Sequence, residues 1–221
     1  MRENLTELVF ILDRSGSMGG LESDTIGGFN SMLKKQKKEE GEAIVSTVLF
    51  DDTSTVIHDR IPVGDVKKLT EKEYYVRGCT ALLDAVGGAI HHIKKVQKET
   101  KADERPAKTL FVITTDGLEI ASRKYELKDV KKMIRRQKEK HNWEFIFLGA
   151  NIDAIEVAQD MGISKDKAAN YLNDAVGTAL NFAVLDEAVS TVRRSKAAKM
   201  SDALVGNAWK AKIDRDYAAR K

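Results

Sequence analysis

The sequence predicts an α/β fold of the doubly wound kind: a central, mostly parallel sheet of about six strands, one antiparallel strand at its edge, and helices on both faces. Three observations predict it. Strand-like apolar runs alternate with segments of helical periodicity from about residue 5 to residue 195. The first run, Leu8-Val9-Phe10-Ile11-Leu12, is apolar at every position, which marks a strand buried on both faces. One pair of runs is joined by a short turn, so one antiparallel hairpin is expected among helical crossovers.

The elements follow in order. After the first strand, Ser23-Asp24-Thr25 offers a helix cap. Ile26, Phe29 and Leu33 then recur at helical spacing, and the charged run Lys34–Glu40 ends at Gly41. Ala43–Phe50 is β-branched and apolar, a second strand; Asp51-Asp52-Thr53-Ser54 reads as a hairpin turn. Thr55–Ile61 makes a third strand, antiparallel at or near the sheet edge. Leu83, Val86, Ile90 and Ile93 mark a second helix that starts just after Gly78-Cys79-Thr80. Thr109–Thr114 is a fourth strand, and Leu127, Val130 and Ile134 mark a third helix. Its outer face carries Lys131, Lys132, Arg135, Arg136, Lys138 and Lys140. A solvated surface is expected there, with docking of an acidic protein or RNA as the alternative. Phe145–Leu148 gives a fifth strand, Ile152–Gln159 a short helix and Ala169–Leu172 a short sixth strand. Val176, Leu180, Val184 and Ala188 place a long amphipathic helix that runs to about Arg194. Residues 1–195 thus form one domain, and 196–221 a basic helical tail. In the tail Trp209, Ile213 and Tyr217 fall at i, i+4 and i+8. Docking of this stripe back on the domain is the plainer expectation, a partner-binding helix the alternative.

Composition narrows the function classes. The 221 residues are 42% hydrophobic and 32% charged, ordinary for a globular chain, and suffice for one sizeable core. A net charge of +3 gives no strong field, so nucleic acid is not the expected partner. The lone cysteine, Cys79, excludes an internal disulfide and suits a reducing compartment. The first residues, Met1-Arg2-Glu3-Asn4-Leu5-Thr6-Glu7, do not resemble a secretory signal. No apolar stretch approaches the roughly 20 residues of a membrane span. A cytoplasmic protein that does not engage membrane is the expectation.

The chemistry sits at strand ends. Directly after the first run stands Asp13-Arg14-Ser15-Gly16-Ser17: one carboxylate and two hydroxyls at alternating positions, with a glycine that lets the backbone turn. Thr80 immediately precedes the second helix, and Asp116 lies two residues past the predicted fourth strand in Thr114-Thr115-Asp116-Gly117. In a parallel sheet the loops after the strands share one edge, so Asp13, Ser15, Ser17, Thr80 and Asp116 can converge. Two carboxylates and three hydroxyls form an oxygen set without sulfur or imidazole, suited to Mg²⁺ or Mn²⁺ and not to zinc or copper.

These segments resemble the von Willebrand factor type A (vWA) family. Asp13-Arg14-Ser15-Gly16-Ser17 matches its DxSxS signature. The threonine of Gly78-Cys79-Thr80-Ala81-Leu82-Leu83-Asp84-Ala85 and the aspartate of Ile113-Thr114-Thr115-Asp116-Gly117 match the rest of its metal-ion-dependent adhesion site. The resemblance implies the Rossmann-like vWA fold of a stand-alone intracellular prokaryotic or phage member. It also implies that Ser15, Ser17 and Thr80 bind Mg²⁺ or Mn²⁺, while Asp13 and Asp116 contact the ion directly or through water. A solvent-facing coordination position would then take an Asp or Glu from a protein partner. An adaptor subunit of an AAA+ ATPase, chelatase or stress-resistance complex is the alternative role.

Other residues carry plainer expectations. Asp84, one helical turn after Thr80, stands behind the ligands or acts as a capping carboxylate. Glu119 is expected to be a solvated loop residue with a rim position as the alternative, and Cys79 a small buried thiol. His58, His91, His92 and His141 lack metal spacing. A metal-dependent hydrolase is the least favoured class. The position two residues after Asp13, where phosphoaspartyl hydrolases need a second carboxylate, is Ser15. Ser15-Gly16-Ser17-Met18-Gly19 lacks the first glycine of Gly-x-Ser-x-Gly. Neither a GxGxxG after a strand nor a phosphate-loop Gly-Lys-Ser/Thr is present. No catalytic residue and no organic cofactor are therefore expected.

Overall fold

The computed structural model describes residues 1–196, 200–204 and 206–221. Among these residues six strands form one sheet: β1 (Arg2–Asp13), β2 (Glu42–Phe50), β3 (Ser54–Pro62), β4 (Pro106–Thr115), β5 (Trp143–Gly149) and β6 (Ala168–Asn170). Their spatial order is β3-β2-β1-β4-β5-β6. Every pairing is parallel except β2 with β3, which makes β3 the antiparallel edge. The chain leaves β1 to build β2 on one side and later returns to build β4 on the other. The order therefore reverses at β1, and the carboxyl end of β1 is where a doubly wound sheet opens a crevice. Asp13 is the last residue of that strand.

The pleat of β1 divides the core. Leu8, Phe10 and Leu12 pack with Phe29 of α1 (Glu22–Gln36) and with Val184, Leu185 and Val189 of α5 (Ala175–Arg194). Val9 and Ile11 face α2 (Leu82–Glu99) and α3 (Leu127–His141), together with Phe111 and Phe145. Both faces being covered explains the uninterrupted apolar run. The ring of Phe29 lies edge-on to Phe10 at 5.5 Å and to Phe182 at 6.4 Å, while Phe111 stacks on Phe145 at 4.9 Å. Gly28 lets α1 approach α5: a Cβ there would sit 2.3 Å from the Phe182 ring.

The remaining elements are α4 (Ala154–Asp160), α6 (Met200–Ala203) and α7 (Ala211–Arg220). Ile213 of α7 is buried in the same cluster as Phe10, and the Trp209 indole donates to the Asp166 carbonyl at 2.7 Å. Lys210 is buried with its Nζ donating to the Ala168 carbonyl of β6 at 2.6 Å.

Several local expectations need correction. Helix α1 begins at Glu22, so Ser23-Asp24-Thr25 lies in its first turn and Leu21 takes the cap position. Glu22 instead accepts from the Gly20 backbone at 2.8 Å. Strand β4 starts at Pro106, a residue tolerated where a strand opens, and runs through Thr115, so Asp116 directly follows it. Val176 and Leu127 are exposed, because each lies in the first turn of its helix beyond the reach of the core. Cys79 is exposed rather than buried. Asp51 does lie in the hairpin turn between β2 and β3, where it is buried between Arg14 and Arg77.

Candidate metal site

At the end of β1, Asp13 Oδ1 accepts from the Ser15 backbone N–H at 2.7 Å, a side-chain turn that bends the chain out of the sheet. Its Oδ2 accepts from Thr115 Oγ1 at 2.6 Å. Gly16 N–H then donates to the Gly78 carbonyl at 3.1 Å, and the 3₁₀ turn Gly16–Met18 brings Ser17 round. Gly78, at φ +66°, adopts the left-handed conformation. A Cβ there would lie 2.6 Å from Asp52 Oδ2, and Asp52 accepts from the Cys79 N–H at 2.6 Å. These contacts fix Thr80 at the mouth of α2.

The five expected residues meet, four of them linked through side-chain oxygens. Thr80 Oγ1 donates to Ser15 Oγ at 3.1 Å, Ser15 Oγ and Ser17 Oγ lie 3.2 Å apart, and Ser17 Oγ donates to Asp116 Oδ1 at 2.5 Å. Asp13 joins them through Ser15 and Thr115. Gly117 keeps the space beside the hydroxyls clear, since a Cβ there would stand 2.8 Å from Thr80 Oγ1 and 3.4 Å from Ser17 Oγ.

Both carboxylates are buried, and neither contacts a cationic side chain among the described residues. Burial pushes the Asp116 carboxyl up to about 6, the charge of Asp13 adds to the effect, and hydrogen bonds from Ser17 and Asn173 oppose it. Burial likewise raises Asp13 against the hydrogen bonds from Thr115 and Ser15. Two buried carboxylates without a counter-charge are costly, and a divalent cation held by those same oxygens would relieve the cost. The set fits Mg²⁺ or Mn²⁺: hard oxygen donors, two of them anionic. Among the described residues no three His, Cys, Asp or Glu side chains are grouped to hold a metal, so any ion here depends on the hydroxyls.

Further residues complete the site. Asn173, from the loop before α5, donates to Asp116 Oδ2 at 2.9 Å. Its own Oδ1 is buried and finds no donor among the described residues. Tyr74 OH donates to the Asp13 carbonyl at 2.6 Å, and burial raises its hydroxyl pKa. Arg14 turns away from the site, donating to Asp51 Oδ2 at 2.8 Å, the Glu73 carbonyl at 3.0 Å and Thr55 Oγ1 at 3.0 Å. Burial works to raise the Asp51 carboxyl, but hydrogen bonds from Arg77, Thr53 and Arg14 outweigh it and hold it low. None of these partners shows a local sequence signal: Asn173 and Tyr74 are single residues in loops without a motif.

Asp84 caps neither α2 nor α3; it holds the loop between β4 and α3. It accepts from the backbone N–H groups of Arg123, Lys124 and Tyr125 at 3.0, 2.8 and 2.9 Å. Glu119 is not a solvated residue. Half-buried, it accepts from the N–H groups of Leu83, Ala121 and Ser122 at 2.8, 3.0 and 2.7 Å, tying the loop after β4 to the start of α2.

No family model and no curated protein sequence matches the chain. Solved structures do. Proximal thread matrix protein 1 from the mussel byssus superposes with a TM-score of 0.56 at 12% identity, over 85% of this chain and 46% of its own. A von Willebrand factor type A protein from Catenulispora acidiphila gives 0.55 at 14%, over 86% and 43%. The manganese-loaded TRAP protein of Plasmodium vivax gives 0.53 at 15%, over 81% and 73%. The chain spans less than half the length of the first two. With a six-stranded sheet reversing at β1 and helices around it, the chain has the fold of a von Willebrand factor type A domain.

Proposed function

We propose that the chain is a divalent-cation-dependent protein-binding module that works inside the cell. Asp13, Ser15, Ser17, Thr80 and Asp116 hold Mg²⁺ or Mn²⁺, and a partner protein contributes an Asp or Glu carboxylate to the ion. The carrying observation is that these five residues, drawn from three distant segments, meet at the switch point of the sheet: hydrogen bonds join the side-chain oxygens of Thr80, Ser15, Ser17 and Asp116, and the Ser15 N–H and Thr115 Oγ1 hold Asp13 beside them. The ion would supply a concentrated positive charge in a partly dry pocket, where a single carboxylate contact is strong and specific. The protein's part is to fix the oxygens and exclude bulk water.

A binding role fits better than a catalytic one. The hydroxyls of Ser15, Ser17 and Thr80 bond to one another and to Asp116, and none contacts a histidine or lysine among the described residues that could activate it. The exposed free thiol of Cys79 supports a reducing compartment. No helix among the described residues is long and apolar enough to cross a membrane.

Isothermal titration of the chain with Mg²⁺, Mn²⁺ and Ca²⁺ tests the metal assignment. Saturable binding that Asp13→Ala weakens by at least about 100-fold is expected, with the circular dichroism of the folded chain retained. Equal affinity in a folded Asp13→Ala variant would remove the assignment.

A further inference from the structure

Seven large apolar side chains are exposed among the described residues, and four of them, Tyr75, Leu118, Ile120 and Val176, belong to segments around the metal-site oxygens. Leu118 and Ile120 follow Asp116 and Gly117 on the loop after β4, 61% and 71% exposed; Val176, 60% exposed, lies three residues beyond Asn173.

The loop bearing Leu118 and Ile120 is fixed in place. The Thr80 carbonyl accepts from the N–H groups of Ile120 and Ala121 at 3.1 and 3.2 Å. Between the two apolar residues, Glu119 turns inward to the α2 start, where it also accepts from Ser122 Oγ at 2.8 Å. Asp84 holds the next three residues. A free loop would fold such side chains onto the nearest surface, because exposed apolar area is unfavourable in water. Here the hydrogen bonds hold both outward on either side of an anchored residue, so the ordering cost of presenting them is already met within the fold. Exposed cations of the same loop, Arg123 and Lys124, stand a few residues further on, with Glu119 turned inward and not left free to oppose an anion.

We propose that Leu118 and Ile120 form an apolar clamp beside the cation, and that the partner is an extended protein segment whose Asp or Glu is flanked by large apolar residues such as Leu, Ile, Phe or Met. This rests on the cation reading of the site. The carboxylate answers the positive charge, and its apolar neighbours cover Leu118 and Ile120.

A random linear peptide library displayed on phage, selected on the full chain in magnesium and eluted with EDTA, tests it. Enrichment of an acidic residue next to large apolar residues is the expected result. For a synthetic peptide of the enriched sequence, Leu118→Ser/Ile120→Ser should weaken binding by about 10- to 100-fold while leaving Mg²⁺ affinity by titration unchanged. Asp13→Ala should abolish both. Enrichment of acidic residues among polar neighbours would overturn the clamp and leave the cation site standing, and so would undiminished peptide binding by the double variant. Absence of any EDTA-sensitive peptide would overturn the clamp too, with the direct Mg²⁺ titration deciding separately on the site. A magnesium-dependent dimer in light scattering, dispersed by the double variant, would mean that a second copy covers the patch and would equally overturn it.

Discussion

Asp116 directly follows β4, with one carboxylate oxygen on Ser17, the other on Asn173, and no cationic side chain beside it among the described residues. Its folded-state pKa of about 6 lies above the ordinary 3.8, so folding favours the protonated form. The stability this group contributes is full below pH 3.8 and is lost as the pH rises through 6. In EDTA the melting temperature should therefore fall across that window, by an amount on the order of a few °C. Asp116→Asn should flatten this part of the profile, and saturating Mg²⁺ should restore the loss above pH 6. Differential scanning fluorimetry with and without the ion, on wild type and variant, reads all three; an unchanged slope in Asp116→Asn would refute the assignment. At the same scale, Ser17→Ala should weaken Mg²⁺ binding by only about tenfold, since a water can replace one neutral ligand. Titration beside Asp13→Ala gives the ranking.

Elements matter through the loops they pin. Strand β1 delivers Asp13 to the sheet edge, but Arg14 keeps the following turn in place by reaching Asp51 after β2 and the Glu73 carbonyl before α2. Arg14 and Asp51 are both buried. Asp51→Ala would leave the guanidinium without its counter-charge, at a cost of about 3–5 kcal/mol. Asp51→Asn keeps an acceptor and should cost less. Urea unfolding of the two variants provides the comparison, and Mg²⁺ affinity should fall with them, because the Arg14 that Asp51 holds lies between Asp13 and Ser15. If both variants are as stable as wild type, the turn is held by something other than this pair.

Across the whole molecule, the segment after α5 is packed into the main core. Ile213 and Leu204 share the cluster of Phe10 and Val184, and Arg220 Nη1 reaches Asp174 at 2.6 Å, beside Asn173. Ile213→Ala should cost about 2–5 kcal/mol through lost burial and the cavity left behind. It should shift the single urea transition as a whole. An early, separate transition for the C-terminal residues would show that they fold independently of the sheet.

The sequence by itself determined the sheet, its antiparallel edge and the five oxygen-bearing residues. Those features are written in local order: an apolar run for a doubly covered strand, a two-residue alternation of Asp13, Ser15 and Ser17, and Thr80 and Asp116 beside recognisable element ends. Only the tertiary structure decided which residues support them. Thr115 on Asp13, Asn173 on Asp116, Arg14 on Asp51 and Glu119 under the loop after β4 are contacts set by how segments fall together at the sheet edge. Nothing in a residue's immediate neighbours encodes a hydrogen bond to a chain segment dozens of positions away. The same holds for the burial of Asp51, in a hairpin turn, and of Glu119, whose sequence surroundings look like a solvated loop: burial is decided by what the fold lays over a residue, which periodicity reports for helices and strands and not for turns.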